Sequence, residues 1–206
     1  TTPCMVTNTG SLGMGISKAK GMVRANRLDN KQGRVYVLTG DGELQEGQFW
    51  ESLSGAVNGK FEEITVIIDH NKIQSDTWVK DVSDLGDLEN KLLSFGWHVQ
   101  SCDGHNLSDF SKAIETAKTV KGKPQIIIAE TVKGQGVSFM EATAMRNDQE
   151  FYKYHSGAPS SEEYQKAFDE LFTRVNNLLD ERELPPLKIV EVERVRNSMP
   201  IVNVQK

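Results

Sequence analysis

The fold is decided by residues 34–58, which read RVYVLTGDGELQEGQFWESLSGAVN. A strand-like run ends at Thr39, the turn Gly40-Asp41-Gly42 follows, and a helix-like run begins near Glu46. A turn between a buried strand and a helix N-terminus presents free backbone N–H groups and the positive end of the helix dipole to an anion. Gly40 and Gly42 let a phosphate approach the backbone closely, although an Asp-Gly pair also forms ordinary tight turns.

A second strand-like run, residues 65–69, leads into His70 and Asn71. If both strands lie parallel in one sheet, the Asp41 carboxylate and the Asn71 amide oxygen share one rim of that sheet. Such hard oxygen ligands suit Mg²⁺ or Ca²⁺, and the ion would tether an anionic cofactor. The alternative for Asn71 is a loop asparagine that satisfies local backbone groups.

The whole chain alternates between helical and strand-like patterns, which predicts an α/β fold with a mostly parallel sheet flanked by helices. Helices are predicted at residues 14–28, 46–58, 85–95, 107–119 and 160–179, and strands at residues 34–39, 65–69, 97–101 and 124–130. Asp103-Gly104-His105-Asn106 is expected to supply the turn and the N-cap before the fourth helix, and Ser160-Ser161-Glu162-Glu163 the cap of the last. We expect one domain over residues 1–184 and a C-terminal extension or linker, beginning at Pro185-Pro186, over residues 185–206.

The composition is that of a globular protein, with 206 residues of which 37% are hydrophobic and 26% charged. A net charge of −5 with scattered lysines disfavours nonspecific nucleic-acid binding. No apolar run reaches the length of a membrane span and no leader opens the chain, so we predict neither membrane insertion nor secretion. Cys4 and Cys102 lack a partnered spacing, which disfavours a disulfide framework or a zinc site and predicts a reducing, cytoplasmic setting.

Two further glycine-rich segments flank this central pattern. Residues 10–15 follow the spacing G-x-x-G-x-G, which differs from the dinucleotide fingerprint G-x-G-x-x-G and lacks a strong strand before it. A Rossmann oxidoreductase is therefore disfavoured. After the last strand, Gly134 and Gly136 make the chain mobile or able to approach a ligand closely.

Six short motifs occur in order along the chain: TGSLGMG at 9–15, GDGELQEG at 40–47, DHNKIQ at 69–74, FGWH at 95–98, DGH at 103–105 and TVKGQG at 131–136. In these motifs the chain resembles the thiamine-diphosphate-binding half of transketolase. The resemblance runs in order from about Thr9 to Pro159 and implies the thiamine-diphosphate-binding fold, with thiamine diphosphate and a divalent ion as cofactors. It further implies ketol transfer, in which a two-carbon unit passes from a ketose to an aldose, with sugar phosphates as substrates.

The resemblance also assigns roles to individual positions. The implied metal ligands are Asp41, Asn71 and the backbone carbonyl of Ile73. The implied cofactor contacts are Gly10, Leu12, Gly42 and Glu43, to which the glycine argument above adds Gly40.

Four residues are implied to work near the reacting centre or between active sites. Lys133 and His155 match residues near the reacting atoms, although the family more often has Trp-His-Gly-Lys where this chain has YHSG at 154–157. The alternative for His155 is an ordinary loop histidine. Glu46 and Glu51 match acids that join a carboxylate chain between the two active sites of a dimer, while a helix-dipole role explains Glu46 equally well.

The resemblance implies a partner as well, because the family binds its cofactor between this domain and a pyrimidine-binding domain. We expect that domain to come from a C-terminal partner domain or subunit, and the match suggests a front segment preceding Thr1. The chain is then inactive alone and assembles as a dimer of halves, either as a split enzyme or as a fragment of a longer chain. Two alternatives stay open: a related thiamine enzyme with another acceptor, such as dihydroxyacetone synthase or 1-deoxyxylulose-phosphate synthase, and a noncatalytic cofactor-binding or assembly module.

Overall fold

A four-stranded parallel sheet forms the centre of the protein. The computed structural model describes residues 5–144 and 151–190. The strands are β1 (Val35–Gly40), β2 (Ile64–His70), β5 (His98–Asp103) and β6 (Gln125–Glu130), in the order β1-β2-β6-β5. All three neighbouring pairs are parallel, and Gly40 of β1 lies beside Asp69 of β2. The predicted α/β fold with a parallel sheet is therefore confirmed.

The helices of the first part of the chain pack against this sheet. Their bounds are α1 (Gly15–Leu28), α2 (Gly47–Asn58), α3 (Val79–Ser83), α4 (Leu88–Ser94) and α5 (Leu107–Thr119), with short 3₁₀ turns at Gly42–Gln45 and Ala142–Ala144. The main hydrophobic core joins one face of the sheet to α1, α2 and α4, and it includes the buried Trp97. A smaller cluster joins β5 and β6 to α5 on the opposite face. The runs of β-branched residues in β2 and β6 are buried on both faces, as strands inside a parallel sheet are.

Local signals fix the helix starts. The Asn106 side chain accepts hydrogen bonds from the backbone N–H groups of Ser108 and Asp109, so the predicted N-cap of α5 is confirmed. Asp87 caps α4 in the same way through the N–H of Asn90.

Two features depart from the predicted elements. The segment predicted as one helix at 85–95 is shorter, because Gly86 has a positive φ of 59° and α4 begins only after Asp87. The sequence patterns also missed a small antiparallel hairpin, formed by β3 (Ile73–Gln74) and β4 (Thr77–Trp78), together with α3 directly after it. Strands of two residues are too short to show a periodic pattern.

The chain divides into two compact units, Thr1–Pro159 and Ser160–Lys206. The described part of the second unit holds one helix, α6 (Ser161–Asp180). Its predicted start is confirmed, because the Ser160 hydroxyl accepts from the Glu163 N–H and the Glu163 carboxylate accepts from the Ser160 N–H. The predicted extension at 185–206 lies outside the described residues from position 191 onward.

None of the helices within residues 5–144 and 151–190 has the length and hydropathy needed to cross a bilayer. Cys102 is a buried free thiol, and burial raises its pKa above the usual value. Cys4 lies outside the described residues.

Gly15 provides the first test, because the fold depends on its lack of a side chain. A Cβ atom added at Gly15 would lie 2.6 Å from Val37 Cγ1, whereas one added at Gly21 in the same helix would meet nothing within 4 Å. We expect Gly15→Ala to destabilise the protein by about 1–3 kcal/mol through overpacking against β1. The matched control Gly21→Ala should stabilise it by about 0.5–1 kcal/mol through helix propensity. Urea unfolding of both variants measures the difference, and equal effects would show that α1 does not approach β1 this closely.

Candidate functional site

Asp41 lies at the carboxyl end of β1 and anchors the site. It is only 1% exposed, and its Oδ1 accepts a hydrogen bond from the Gly42 N–H at 2.7 Å. Its Oδ2 accepts from the backbone N–H of Lys72, at the carboxyl end of β2. Burial raises the pKa of the Asp41 carboxyl above its usual value, although both N–H donors oppose the rise. The carboxylate therefore joins the ends of two neighbouring strands and carries a buried charge that a cation would stabilise.

Asn71 and Ile73 follow β2 on the same rim of the sheet. The Asn71 Oδ1 accepts from the Ile73 N–H at 3.0 Å, which holds the turn between β2 and β3. The Ile73 side chain is buried in a third cluster with Ala142 and Tyr152, so its backbone position is fixed. The predicted meeting of Asp41 and Asn71 at one rim follows from the parallel register and from the Asp41 contact with Lys72, next to Asn71.

These residues suit a hard divalent cation. Asp41, Asn71 and the Ile73 carbonyl offer only oxygen atoms, which is the donor set that Mg²⁺ and Ca²⁺ prefer. Among residues 5–144 and 151–190 there is no group of three or more His, Cys, Asp or Glu side chains placed to hold a metal. The proposed ligands are one carboxylate, one side-chain amide oxygen and one backbone carbonyl. They therefore do not form a cluster of three acidic, histidine or cysteine side chains.

The turn after Asp41 packs closely against Gln74 and offers one backbone donor to an anion. A Cβ atom on Gly42 would lie 2.6 Å from Gln74 Cβ, so this position requires the bare backbone. The Gly42 N–H already donates to Asp41, whereas no hydrogen-bond acceptor for the Glu43 N–H is found in the described residues. Gln74 Oε1 is buried without a partner among those residues. Because this oxygen is an acceptor, a donor or a cation would satisfy it, whereas the Glu43 N–H is the group that suits an anion.

Glu43 also connects the first glycine-rich turn to the site. Its Oε1 accepts from the Gly13 N–H at 2.7 Å, and Gly13 has a positive φ of 77°. The contact holds residues 10–15 against the 3₁₀ turn that follows Asp41. Gly10 has open space around it and Leu12 is 51% exposed, so both of these predicted cofactor contacts face outward. Sequence patterns placed Gly13 in a glycine-rich turn but did not predict its contact with Glu43, thirty positions away.

Lys133 and His155 come together beside the metal-ligand candidates. Lys133 Nζ lies 3.0 Å from His155 Nδ1, and it also donates to the carbonyls of Ile73 at 3.5 Å and Ser75 at 3.3 Å. Burial lowers the pKa of the Lys133 amine, while the nearby carboxylates, Asp41 first among them, oppose the change. The structure thus brings two predicted catalytic residues, more than twenty positions apart, into direct contact.

Tyr152 is the supporting residue that sequence patterns missed. Its ring lies under Lys133, with 5.2 Å from Nζ to the ring centroid, and its hydroxyl donates to the Met140 carbonyl at 2.9 Å. The side chain is buried, and the backbone N–H donates to the Asp76 carbonyl at 2.6 Å. Gly134 leaves the space for these contacts, because a Cβ there would lie 2.0 Å from the Met140 oxygen. Tyr152 therefore positions the Lys133 amine.

The segment that carries Lys133 is fixed from the sheet side as well. His105 Nε2 accepts from the Val132 N–H at 2.8 Å, and the Thr131 hydroxyl donates to the Asp69 carboxylate. His105 of the DGH motif therefore holds the TVKGQG segment in place, and Asp69 at the end of β2 supports the same segment.

Glu46 and Glu51 are not joined to the rest of the site. Glu46 immediately precedes α2 without capping it through its side chain, and both carboxylates are exposed. Neither side chain makes a hydrogen bond or an ion pair within residues 5–144 and 151–190. Their predicted role between two active sites stays a prediction.

Comparison with known proteins identifies relatives of the whole site-bearing region. A family model described as "Transketolase, thiamine diphosphate binding domain" matches residues 1–166. The chain is 44% identical over 133 residues to a 6-deoxy-6-sulfo-D-fructose transketolase subunit of Clostridium sp. strain MSTE9, covering 65% of this chain and 48% of that protein. It is 33% identical over 176 residues to an apulose-4-phosphate transketolase subunit of Phocaeicola vulgatus, covering 85% of this chain and 60% of that protein.

Solved structures show the same fold. The transketolase from Campylobacter jejuni superposes with a TM-score of 0.60 at 25% identity, covering 85% of this chain and 31% of that one. The chain spans about half the length of the curated relatives that it matches.

Gly134 supplies a test of the loop that carries Lys133. We expect Gly134→Ala to cost about 3 kcal/mol or more, because it combines a positive φ of 79° with a collision against the Met140 carbonyl. Gly122→Ala is the matched control, with a φ of 69° and nothing within 4 Å of the added atom. It should cost only the backbone strain of about 1–2 kcal/mol. Chemical unfolding gives both values, and a Gly134→Ala loss no larger than the control would contradict the tight contact with Met140.

Proposed function

Because the chain belongs to the transketolase thiamine diphosphate-binding domain family, we propose that it forms the diphosphate- and metal-binding half of a transketolase-type enzyme. The single observation that carries the proposal is the Asp41 carboxylate, which is buried at the joined ends of β1 and β2 beside Asn71 and Ile73. Asp41, Asn71 and the Ile73 carbonyl would hold Mg²⁺, with Ca²⁺ as the alternative. The Glu43 N–H and the open backbone at Gly40 and Gly42 would receive the diphosphate.

The proposed reaction is transfer of a two-carbon ketol unit from a ketose to an aldose. Bound thiamine diphosphate would supply the electron sink for carbon–carbon bond cleavage and formation. The protein supplies position and proton transfer. His155 and Lys133 lie 3.0 Å apart, so one proton can be shared between the Nδ1 and Nζ atoms, and burial eases its loss from the amine. We propose sugar phosphates as the substrates.

A partner completes the proposed enzyme. Two relatives are named as subunits of transketolases, which supports a split arrangement for this chain. We propose that a pyrimidine-binding subunit or domain covers the cofactor and that the halves form a dimer, in which the exposed Glu46 and Glu51 would meet the neighbouring active site. We also propose action in the cytoplasm, which the free Cys102 thiol supports.

Calorimetric titration of thiamine diphosphate with Mg²⁺ tests the proposal. The titration is run on this chain alone and again after addition of the pyrimidine-binding half of a split transketolase, followed by an assay of ketol transfer from a ketose phosphate. Tight binding and activity in the mixture support a split transketolase. Binding with transfer to a different acceptor supports a related thiamine enzyme, binding without turnover supports an assembly module, and absence of binding in both samples overturns the proposal.

Replacing Asp41 tests the proposed metal site most directly in this titration. Asp41→Asn keeps an oxygen that can accept from Gly42 or Lys72 but removes the negative charge, so the fold should persist while Mg²⁺-dependent cofactor affinity falls more than about 100-fold. Glu115→Gln, on the exposed side of α5, is the control and should leave the affinity unchanged. Cofactor binding that survives Asp41→Asn with its Mg²⁺ dependence intact would show that the metal is held elsewhere.

The variant Lys133→Met tests whether Lys133 acts in the chemical step of ketol transfer or in the binding of the cofactor. We expect kcat for ketol transfer to fall about 10²–10⁴-fold in the assembled enzyme, because the amine that shares a proton with His155 is lost. The affinity for thiamine diphosphate should change less than about tenfold, since Lys133 is not among the proposed ligands. Lys123→Met, at the exposed amino end of β6, is the control and should retain full activity. A parallel loss of affinity and kcat would instead assign Lys133 to cofactor binding.

A further inference from the structure

The carboxylate of Glu130 contacts both neighbours of Asn71. Glu130 is the last residue of β6, and its Oε1 lies 2.7 Å from His70 Nδ1. Its Oε2 accepts a hydrogen bond from Lys72 Nζ, also at 2.7 Å. Because an ionised carboxylate only accepts hydrogen bonds, the His70 ring donates through Nδ1. One side chain from the neighbouring strand therefore holds the residue before and the residue after a proposed metal ligand.

The backbone pairing of β2 with β6 ends just before this ligand. The last pair of the register joins His70 to Glu130, so Asn71 and Lys72 lie beyond the ladder. Lys72 has a positive φ of 71°, a conformation that residues with side chains adopt rarely and that the surrounding contacts must maintain. The side-chain contacts of Glu130 therefore continue the connection to β6 past the point where the backbone pairing stops.

Lys72 connects these contacts to Asp41. The Lys72 N–H donates to Asp41 Oδ2, and the Lys72 carbonyl accepts from the Val79 N–H at 2.9 Å. The side chain of Lys72 is thus bound to the end of β6, while its backbone is bound to the carboxylate at the end of β1. Any displacement of Lys72 would change its hydrogen bond to Asp41 and the position of the adjoining Asn71 together.

The exposure of this ion pair allows positioning to be separated from folding. The side chains of Lys72 and Glu130 are 54% and 44% exposed, and ion pairs as exposed as this one contribute little to global stability. Replacement of Glu130 should therefore leave global unfolding nearly unchanged. The turn at residues 70–72 should open locally more often, because local opening depends on the contacts of that segment alone.

We propose that Glu130 is a positioning residue for the metal-binding turn and that it acts through His70 and Lys72, without touching the cation. The inference rests on the proposed function, because it takes Asp41 and Asn71 to be ligands of a divalent ion. Side chains that orient metal ligands from outside the coordination shell typically change metal affinity by about 10- to 100-fold when they are replaced.

Amide hydrogen exchange at Lys72 tests the restraint in the chain without cofactor. In the wild type this N–H should exchange slowly, because it donates to the buried Asp41 carboxylate. We expect Glu130→Ala to speed the exchange about tenfold, and a change so distant in sequence leaves the intrinsic exchange rate at Lys72 unaltered. Ile67 and Ile127, in the two central strands, are internal references and should exchange at unchanged rates.

The affinity for Mg²⁺ gives the second readout, measured with saturating thiamine diphosphate in the mixture with the pyrimidine-binding half. We expect Glu130→Ala to raise the Mg²⁺ dissociation constant about tenfold. Glu130→Gln keeps the side-chain length and an oxygen that can accept from Lys72, so it should restore most of the affinity. Circular dichroism checks folding, and Glu130→Ser replaces Glu130→Ala if the latter does not fold.

Glu115→Ala is the matched control. It also removes a glutamate that pairs with a lysine, since Glu115 lies 2.6 Å from Lys118 Nζ, but this pair is on the exposed side of α5. Both the exchange rate at Lys72 and the Mg²⁺ affinity should stay at their wild-type values in this variant.

Three outcomes overturn the proposal. Unchanged exchange at Lys72 in Glu130→Ala would show that Glu130 does not restrain the turn. Faster exchange at Ile67 and Ile127 as well would show a general loss of stability. Equal losses of Mg²⁺ affinity in Glu130→Ala and Glu130→Gln would show that the charge of Glu130 acts on the cation directly.

The proposed function and this inference fail in different ways. Absence of cofactor binding in the wild-type mixture overturns the proposed function, and the exchange rates then decide alone whether Glu130 restrains the turn. Equally tight binding by the wild type and by Glu130→Ala leaves the proposed function intact and overturns the positioning role.

Discussion

The buried carboxylate of Asp41 is the constraint on which the site depends. It sits where two parallel strands end, and it accepts one N–H from its own turn and one from the segment after β2. Burying a carboxylate is costly unless donors or a cation compensate, and two neutral N–H groups compensate only in part, as the raised pKa shows. A divalent ion coordinated by the same carboxylate would supply the missing charge. The burial that makes the Asp41 charge costly in the protein alone would therefore strengthen its binding to a cation at the proposed site.

The other half of the site is organised around an amine. Lys133 is held by two backbone carbonyls, by the face of Tyr152 and by contact with His155. Because the Ile73 carbonyl is both a contact of Lys133 and a proposed metal ligand, the two halves share one atom. Binding of a cation at that oxygen would disfavour a second positive charge beside it. A cation at the proposed site would therefore lower the pKa of the Lys133 amine in the same direction as its burial does.

Sequence patterns predicted the parts of the fold that are long and periodic. The strands β1, β2, β5 and β6 and the longer helices were identifiable, because apolar runs and caps such as Asn106 are local signals, whereas the five-residue α3 was missed. The placement of Asp41 beside Asn71 followed from parallel pairing of two such strands. What escaped prediction depends on contacts between distant segments: the β3–β4 hairpin, the Gly13 contact with Glu43, and Tyr152 under Lys133. Such contacts produce no periodic pattern in the sequence of either segment.

β1 ends at the candidate site and is also the last strand of the sheet among residues 5–144 and 151–190, so one short strand meets two different demands. Its carboxyl end must place Asp41 within hydrogen-bond reach of Lys72, which requires a rigid register with β2. Its other edge carries Tyr36 and Leu38 without a partner strand among the described residues. An unpaired edge strand is more mobile than a central one, since fewer hydrogen bonds must break for it to open. Asp41 is nevertheless held from the β2 side, because its carboxylate accepts from the Lys72 N–H and its own N–H donates to the Asp69 carbonyl.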